Sequence, residues 1–178
     1  MALKPKSPSN TPSIQNSTKD LEERLKAFAD TYKTTQDHQW STPIILNLSV
    51  VSSSASPPHP RATFRLNVLP VHDNSLGNMH GGCTATVFDI CTTFPLQMIS
   101  RPGFWQYGGV SRTLNVTYLR PVRVGTTVDI ECEVVHAGQR LSSLRGVMRA
   151  ATTDGTEGPV LAICEHNKVN TDPPAPKL

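Results

Sequence analysis

A long apolar stretch, from Gly81 to about Ser100, limits the possible folds of this chain more than any other feature. It is too long for one strand and has the length of a helix. Its only charged residue is Asp89, and Pro95 is expected to bend the helix or end its regular part. Because a helix this apolar must be covered by other elements, the sequence predicts that it is buried at the centre of the fold.

Six shorter segments have the composition and alternation of strands, two before the long helix and four after it. They are Ile44–Val51, Ala62–Leu69, Gly109–Leu119, Thr126–Ala137, Arg140–Thr152 and Val160–Val169. A loop, SSSASPPHPR at residues 52–61, separates the first two, and turns containing Gly separate the last four. The simplest arrangement is an antiparallel sheet curled around the helix, which is an α+β fold.

The chain of 178 residues fits one domain with two tails. We expect the domain over residues 17–170 and disordered tails at 1–16 and 171–178, which are rich in Pro, Ser, Thr and Asn. An additional helix is predicted over residues 17–37 on the domain surface. Its apolar face consists of Leu21, Leu25, Phe28 and Tyr32.

The composition excludes several classes of protein. The net charge of +3 is only mildly basic and no nucleic-acid recognition motif accompanies it, while no segment has the continuous apolar character of a membrane span. The four cysteines form no CxxC pair, so we expect reduced core residues rather than disulfides or a metal site. They are Cys83, Cys91, Cys132 and Cys164.

A cytoplasmic location is the expectation, because no secretory signal precedes the domain. Two alternatives stay open. The final PKL resembles a peroxisomal SKL signal, and lysines near the N-terminus give weak support to a mitochondrial presequence, although arginine is missing there.

Two segments carry a resemblance to a known family. They are NSLGNMHGGCTATVFD at residues 74–89 and GGVSRTLNVTYLRPVRVG at residues 108–125. Together with the order of elements, they resemble the acyl-CoA thioesterases of the PaaI and 4-hydroxybenzoyl-CoA thioesterase type over roughly Asn47–Val169. The resemblance implies the hot-dog fold, hydrolysis of an acyl-CoA thioester to free acid and CoA without a metal or redox cofactor, and a homodimer that often doubles to a homotetramer.

The resemblance also implies roles for five residues. The Gly81 amide and Asn74 match the positions that polarise the thioester carbonyl, and Asp89 matches the acid that acts as base or nucleophile. Ser111 matches the residue that positions the attacking water, and Thr93 matches a hydroxyl that does so in another branch of the family.

The chemistry of thioester hydrolysis fits these residues independently. Negative charge develops on the carbonyl oxygen, and a helix N-terminus with two glycines offers unpaired N–H groups that a substrate can approach. Gly81 and Gly82 therefore suit an oxyanion site, although such glycines also serve close helix–strand packing. Asp89 suits a base or a nucleophile, and a satisfied structural acid is the alternative.

The spacing of Gly81 and Asp89 favours a site shared between two chains. Eight residues correspond to about 12 Å along a helix axis, so one carbonyl group can hardly contact both groups of a single chain. A two-fold dimer that takes the amide from one subunit and the acid from the other solves this problem.

Coenzyme A carries anionic phosphates, and arginines are frequent between residues 101 and 150. Arg120 and Arg140 are the candidates for phosphate binding, with a solvated basic face as the alternative. Gly82 and His80 are further candidates for contact with the substrate or CoA, and His80 is expected to order the start of the helix.

Other functions stay open. A non-catalytic acyl-CoA binding module would bind the same esters without releasing thiol, and other hot-dog enzymes catalyse dehydration, isomerisation or the tailoring of acyl-carrier or polyketide intermediates. A dehydratase is expected to pair its acid with a catalytic histidine, and the helix after His80 contains none. A Ser-His-Asp triad is excluded because no GxSxG motif occurs and no histidine has a supported partner; His166 is expected to be structural.

Overall fold

The computed structural model describes residues 19–27, 30, 40–154 and 156–173. Within them, residues 19–27 form helix α1, and helices α2 (Thr42–Leu46) and α3 (Gly81–Met98) follow. The strands are β1 (Leu48–Ser54), β2 (Arg61–Asn67), β3 (Val110–Tyr118), β4 (Thr127–Ala137), β5 (Leu141–Ala150) and β6 (Val160–Val169). Phe28, Tyr32 and most of both predicted tails lie outside the described residues.

The strands of the described residues form one antiparallel sheet in the order β1-β2-β4-β5-β6-β3. Helix α3 packs across this sheet and contacts the strands from β2 to β6. Gly146 on β5 allows the close approach, since a Cβ there would lie 2.7 Å from the ring of Phe88. The predicted antiparallel sheet packed on one long apolar helix is therefore confirmed.

The core lies between α3 and the sheet and is built from alternate strand positions. Phe64, Ile130 and Met148 on three neighbouring strands are fully buried, while the residues between such positions point outward. This period of two is the signal from which the strands were predicted. Along the part of the chain that the structure describes, no helix is long and apolar enough to cross a membrane.

Helix α1 is anchored to this core. Leu21 and Leu25 of its predicted apolar face are buried and join the core cluster. Arg24 donates a hydrogen bond to the backbone carbonyl of Gln97, near the end of α3 (2.8 Å). The additional N-terminal helix therefore packs against the central helix.

The four cysteines are unpaired and buried, as predicted. Burial raises the pKa of the Cys83 thiol to about 11 and that of the Cys164 thiol to about 12. A thiol that stays protonated is a poor nucleophile, so these residues act as small core side chains.

One strand boundary was predicted wrongly. Residues 44–46 belong to helix α2, whose first turn contains Pro43, and both Ile44 and Ile45 are buried. Two adjacent buried residues fit a helix and conflict with the alternation of a half-buried strand. Strand β1 instead continues to Ser54, because its serines pair with β2 despite their loop-like composition, so the loop is shorter than the predicted 52–61.

Pro95 does not end the regular part of the central helix. Helix α3 continues to Met98, two residues before the predicted end. Proline removes the N–H that would bond to the Cys91 carbonyl and crowds that carbonyl, but Pro95 is itself buried with Phe94 and Leu96. Tertiary packing of this last turn therefore outweighs the local cost of the proline.

Candidate active site

Asp89 lies in the middle of α3 and faces a cavity rather than the closed core. Its carboxylate is 43% exposed and lines a cavity of about 410 Å³. The Ser111 hydroxyl, at the start of β3, donates a hydrogen bond to Asp89 Oδ1 (2.6 Å). Within the described residues Asp89 Oδ2 has no hydrogen-bond partner. The acid is thus held by one oxygen while the other is available to a reactant.

His166 on β6 is the third member of this cluster, and its side chain is fully buried. Its Nε2 lies 2.9 Å from Ser111 Oγ and 3.3 Å from Asp89 Oδ1, and its Nδ1 lies 2.7 Å from Thr92 Oγ1. Burial, helped by the positive charge of Lys168 and opposed by Asp89, lowers the pKa of His166 to about 4. The imidazole is therefore neutral at neutral pH.

The contacts of Ser111 and Asp89 favour one tautomer of His166. With its proton on Nε2, the ring donates to Ser111, whose hydroxyl donates to Asp89. The single proton of the Thr92 hydroxyl then goes either to the Phe88 carbonyl (2.6 Å) or to Nδ1 (2.7 Å). The other tautomer would place the Nε2 lone pair 3.3 Å from a carboxylate oxygen. We therefore assign the proton to Nε2, which fixes the Ser111 hydroxyl toward Asp89.

This cluster differs from a Ser-His-Asp triad, because Ser111 and Asp89 both approach the same imidazole nitrogen. In a triad the serine and the aspartate occupy opposite nitrogens of the ring. The exclusion of a triad therefore stands, whereas the statement that no histidine has a supported partner is wrong for His166. The alternation along β6 is the signal that could have placed His166 in the interior, since buried Cys164, His166 and Lys168 alternate with outward residues.

Lys168 adds a buried cation to the same cavity. The side chain is only 4% exposed, and its Nζ donates to Thr93 Oγ1 (2.9 Å). The Thr93 hydroxyl donates in turn to the backbone carbonyl of Asp89, one helical turn before it (2.6 Å). Burial lowers the pKa of Lys168, and the nearby Asp89 opposes this shift. Sequence reasoning found Thr93 and missed the lysine that binds it.

Gly81 begins α3 at the other end of the helix. Its N–H has no acceptor within the described residues, and its carbonyl accepts a hydrogen bond from the Tyr118 hydroxyl (2.8 Å). A Cβ at Gly81 would meet only the Tyr118 ring at 3.5 Å, which is an ordinary contact. Close packing within the chain therefore does not require this glycine, and the explanation that Gly81 only serves helix–strand packing loses its basis.

Gly82 and His80 form the cap of the same helix. The Gly82 N–H donates to Nδ1 of His80 (3.0 Å), and a Cβ on Gly82 would crowd that ring at 3.1 Å. His80 orders the helix start, as predicted. The cap therefore occupies the Gly82 amide and leaves the Gly81 N–H, at the first helical position, as a free donor within the described residues.

Asn74 is held with its amide nitrogen outward. Its Oδ1 accepts hydrogen bonds from the backbone N–H groups of Leu76 (2.9 Å) and Asn78 (3.3 Å). These bonds leave Nδ2 as the free donor, with no acceptor among the residues that the structure describes. Asn74 and Gly81 line one groove of about 380 Å³, so the structure brings the two predicted oxyanion donors together.

The two predicted phosphate-binding arginines lie far apart in one chain. Arg120 lines the groove of Asn74 and Gly81 and donates to the Val160 carbonyl (2.6 Å). Arg140 precedes β5, where its carbonyl accepts from the Asn170 N–H. These places are at opposite ends of β6, roughly 30 Å apart at the usual rise of a strand. A single chain cannot use both arginines on one phosphate.

The two halves of the candidate site also lie at opposite ends of one strand. Ser111, which binds Asp89, starts β3, and Tyr118, which binds Gly81, ends it. Seven residues of strand span about 23 Å. The cavity of Asp89 and the groove of Gly81 share no lining residue. One chain therefore does not bring its own acid and its own oxyanion donors together.

Residues 76–156, which include Gly81, Asp89 and Ser111, match the family model of the thioesterase superfamily. This segment is similar to thioesterase-superfamily domains. The chain is 32% identical to mouse (Mus musculus) acyl-coenzyme A thioesterase 13 over 97 residues, which are 54% of this chain and 64% of that protein. It is 35% identical to the human (Homo sapiens) protein of the same name over 71 residues, 40% of this chain and 48% of that protein. These alignments span less than two thirds of the length of either relative.

A solved structure extends the likeness beyond residues 76–156. Mouse (Mus musculus) thioesterase superfamily member 2 superposes with a TM-score of 0.66 at 25% identity, covering 85% of this chain and 96% of that chain. The predicted hot-dog fold, with its additional N-terminal helix, is confirmed. The predicted domain boundaries at residues 17 and 170 stay predictions.

The buried imidazole predicts a pH-dependent stability. The unfolded chain binds a proton on His166 below its ordinary pKa of 6.5, whereas the folded chain keeps it neutral down to about 4. The free energy of unfolding should therefore fall as the pH falls from about 6.5 to 4. In His166→Gln this part of the slope should be lost. Urea unfolding at a series of pH values measures it.

The matched control for this test is His136→Gln, since His136 is exposed on β4. That variant should keep the slope of the unmodified protein. Equal slopes in the unmodified protein and His166→Gln would contradict the assignment of a buried, neutral His166.

Proposed function

We propose that the protein hydrolyses acyl-CoA thioesters to free acid and CoA at a site shared by two chains. The observation that carries the proposal is the placement of two complementary half-sites at opposite ends of β3. One half holds a carboxylate with a fixed hydroxyl, and the other holds two free hydrogen-bond donors at a helix N-terminus. Acyl transfer needs both halves at one carbonyl group.

A two-fold dimer along β3 would complete the site. This strand pairs with β6 on one edge, and within the described residues its other edge is unpaired. An antiparallel partner copy on that edge would set the start of one β3 beside the end of the other. Asp89 and Ser111 of one chain would then face Gly81 and Asn74 of the second chain. The pairing would also cover an open strand edge.

In the proposed reaction, the Gly81 N–H and Asn74 Nδ2 stabilise the negative charge that develops on the thioester oxygen. Asp89 takes a proton from water through its free oxygen, and the water oxygen adds to the carbonyl carbon. The C–S bond then breaks, and the proton on Asp89 passes to the departing CoA thiolate. Direct attack by Asp89 is the alternative and would form an anhydride that water hydrolyses.

Ser111 is the better placed of the two candidate hydroxyls for holding the water. Its Oγ bonds to the carboxylate itself, and His166 fixes its orientation. The Thr93 hydroxyl instead donates to the backbone carbonyl of Asp89 and accepts from Lys168, so neither of its hydrogen bonds involves the carboxylate. We therefore assign water positioning to Ser111.

Arg120 is the proposed partner for a phosphate of CoA, since it lines the same groove as Gly81. A guanidinium pairs with phosphate through two hydrogen bonds. Arg140 would contact the same substrate only if it came from another chain. The proposal needs no metal or redox cofactor, and the doubling of the dimer to a homotetramer remains an expectation.

Dehydration is the second candidate, favoured by one observation. The sequence argument against it was the absence of a histidine after His80 in the central helix, but β6 supplies His166 within 3.3 Å of Asp89. His166 is fully buried, however, and its ring nitrogens are occupied by Thr92 and Ser111. It can orient Ser111 but cannot touch a substrate, which favours hydrolysis.

A panel of short, medium, long and aromatic acyl-CoAs with detection of free thiol tests the proposal. Hydrolysis releases thiol in proportion to free acid. A binding module would bind the esters without thiol release, and a dehydratase would change the acyl group while the thioester stays intact. Either of these two outcomes would overturn the proposed function.

A further inference from the structure

Lys168 has more hydrogen-bond donors than the described residues provide acceptors for. Its ammonium group carries three N–H bonds. Across the described residues, Nζ makes one hydrogen bond, to Thr93 Oγ1 (2.9 Å), although the side chain is only 4% exposed. A buried charged donor without acceptors is costly. The remaining donors are therefore available to a ligand in the cavity that Lys168 lines.

The cavity beside Asp89 is where that partner would lie. Lys168 lines it together with Asp89 and Thr93. The rest of the wall mixes apolar and polar side chains, including Ile45, Ile90, Phe94, Thr86 and Gln97. A plain alkyl chain would offer no acceptor to the remaining N–H bonds of Lys168, whereas an acyl group with an oxygen would supply one.

The position of Lys168 limits where that oxygen can sit. Thr93, which Lys168 binds, follows Asp89 by one turn, or about 6 Å along the helix axis. The thioester carbon must lie close to the water held by Asp89. An oxygen three to four bonds from the thioester carbon lies about 4–5 Å from it. That distance covers most of the axial separation of about 6 Å between Asp89 and Thr93.

We propose that Lys168 is a specificity-determining residue that binds an oxygen on carbon 3 or 4 of the acyl group. The substrates would be short acyl-CoAs with a hydroxyl, keto or carboxylate oxygen at that position. The inference rests on the proposed function, because it assumes that the acyl group occupies the cavity of Asp89. A lysine that only balanced the charge of Asp89 would affect all substrates equally.

Binding of non-hydrolysable thioethers tests the inference apart from catalysis. Calorimetry compares butyl-CoA with 3-hydroxybutyl-CoA in the unmodified protein and in Lys168→Met. We expect the hydroxylated thioether to bind about 10-fold tighter or more to the unmodified protein, since the bond involves a charged donor. In Lys168→Met this ratio should fall close to one. Lys26→Met, at an exposed lysine of α1, should keep the ratio.

Free-thiol rates on butanoyl-CoA and 3-hydroxybutanoyl-CoA complete the test. The ratio of their kcat/KM values should favour the hydroxylated ester and fall about 10-fold or more in Lys168→Met. Equal binding of both thioethers by the unmodified protein would overturn the inference, whether or not Lys168→Met folds. An equal loss of kcat/KM on both esters in Lys168→Met would also overturn the inference. A clear binding preference without thiol release from any ester would refute the proposed function and leave the Lys168 assignment supported.

Discussion

Replacing Asp89 with asparagine is expected to lower kcat for acyl-CoA hydrolysis by about 10²–10⁴-fold. Asparagine has nearly the same shape and can still accept a hydrogen bond from Ser111. It lacks a basic oxygen, so it can neither take a proton from water nor attack the thioester. Because Asp89 is partly exposed and faces a cavity, the variant should fold. Steady-state rates with free-thiol detection measure the loss.

Glu165→Gln is the matched control, since Glu165 lies on the outward side of β6. This variant should retain the rate of the unmodified protein. If Asp89→Asn stays within tenfold of the unmodified rate on every ester tested, Asp89 is neither base nor nucleophile. A single turnover in ¹⁸O-water separates these two roles, because direct attack transfers an unlabelled oxygen from Asp89 to the acid.

Replacing Asn74 with aspartate is expected to lower kcat by about 10²–10³-fold, the usual effect of removing one oxyanion donor. The substitution keeps Oδ1, which accepts the N–H groups of Leu76 and Asn78, and exchanges the outward Nδ2 donor for an oxygen. The loop should therefore keep its shape while the developing oxyanion loses a hydrogen bond and meets a negative charge. The measurement is kcat with a saturating acyl-CoA.

Asn78→Asp places the same substitution in the same groove, where the Asn78 side chain donates to the Leu76 carbonyl (3.2 Å). It should reduce kcat much less than Asn74→Asp. Comparable losses in the two variants would indicate a general effect of negative charge in the groove and would remove Asn74 from the oxyanion site.

The fold was largely predictable because its main signals are local and periodic. Alternation marked the later strands to within about two residues, and continuous apolar character marked α3. The failures arose where tertiary packing overrides local preference. Burial carries the helix past Pro95, and pairing with β2 keeps the serines up to Ser54 in a strand.

The candidate site was less predictable, because it depends on strand register. Residue spacing alone indicated that Gly81 and Asp89 serve different sites, but the approach of Ser111 to Asp89 followed only from the resemblance. The physical cause of this approach is the register of β3 and β6, which pairs Ser111 with Lys168. The same register brings His166 and Lys168 to Asp89 across more than 70 residues of sequence.

Mixing the two impaired variants tests the shared site most directly. In a heterodimer of Asp89→Asn with Asn74→Asp, one shared site would combine the intact Asn74 of the first chain with the intact Asp89 of the second. The other site would carry both substitutions. Random exchange of equal amounts should therefore restore about a quarter of the unmodified activity from two nearly inactive proteins. If the mixture, with exchange verified by mass, stays at the mean of the separate variants, each site lies within one chain.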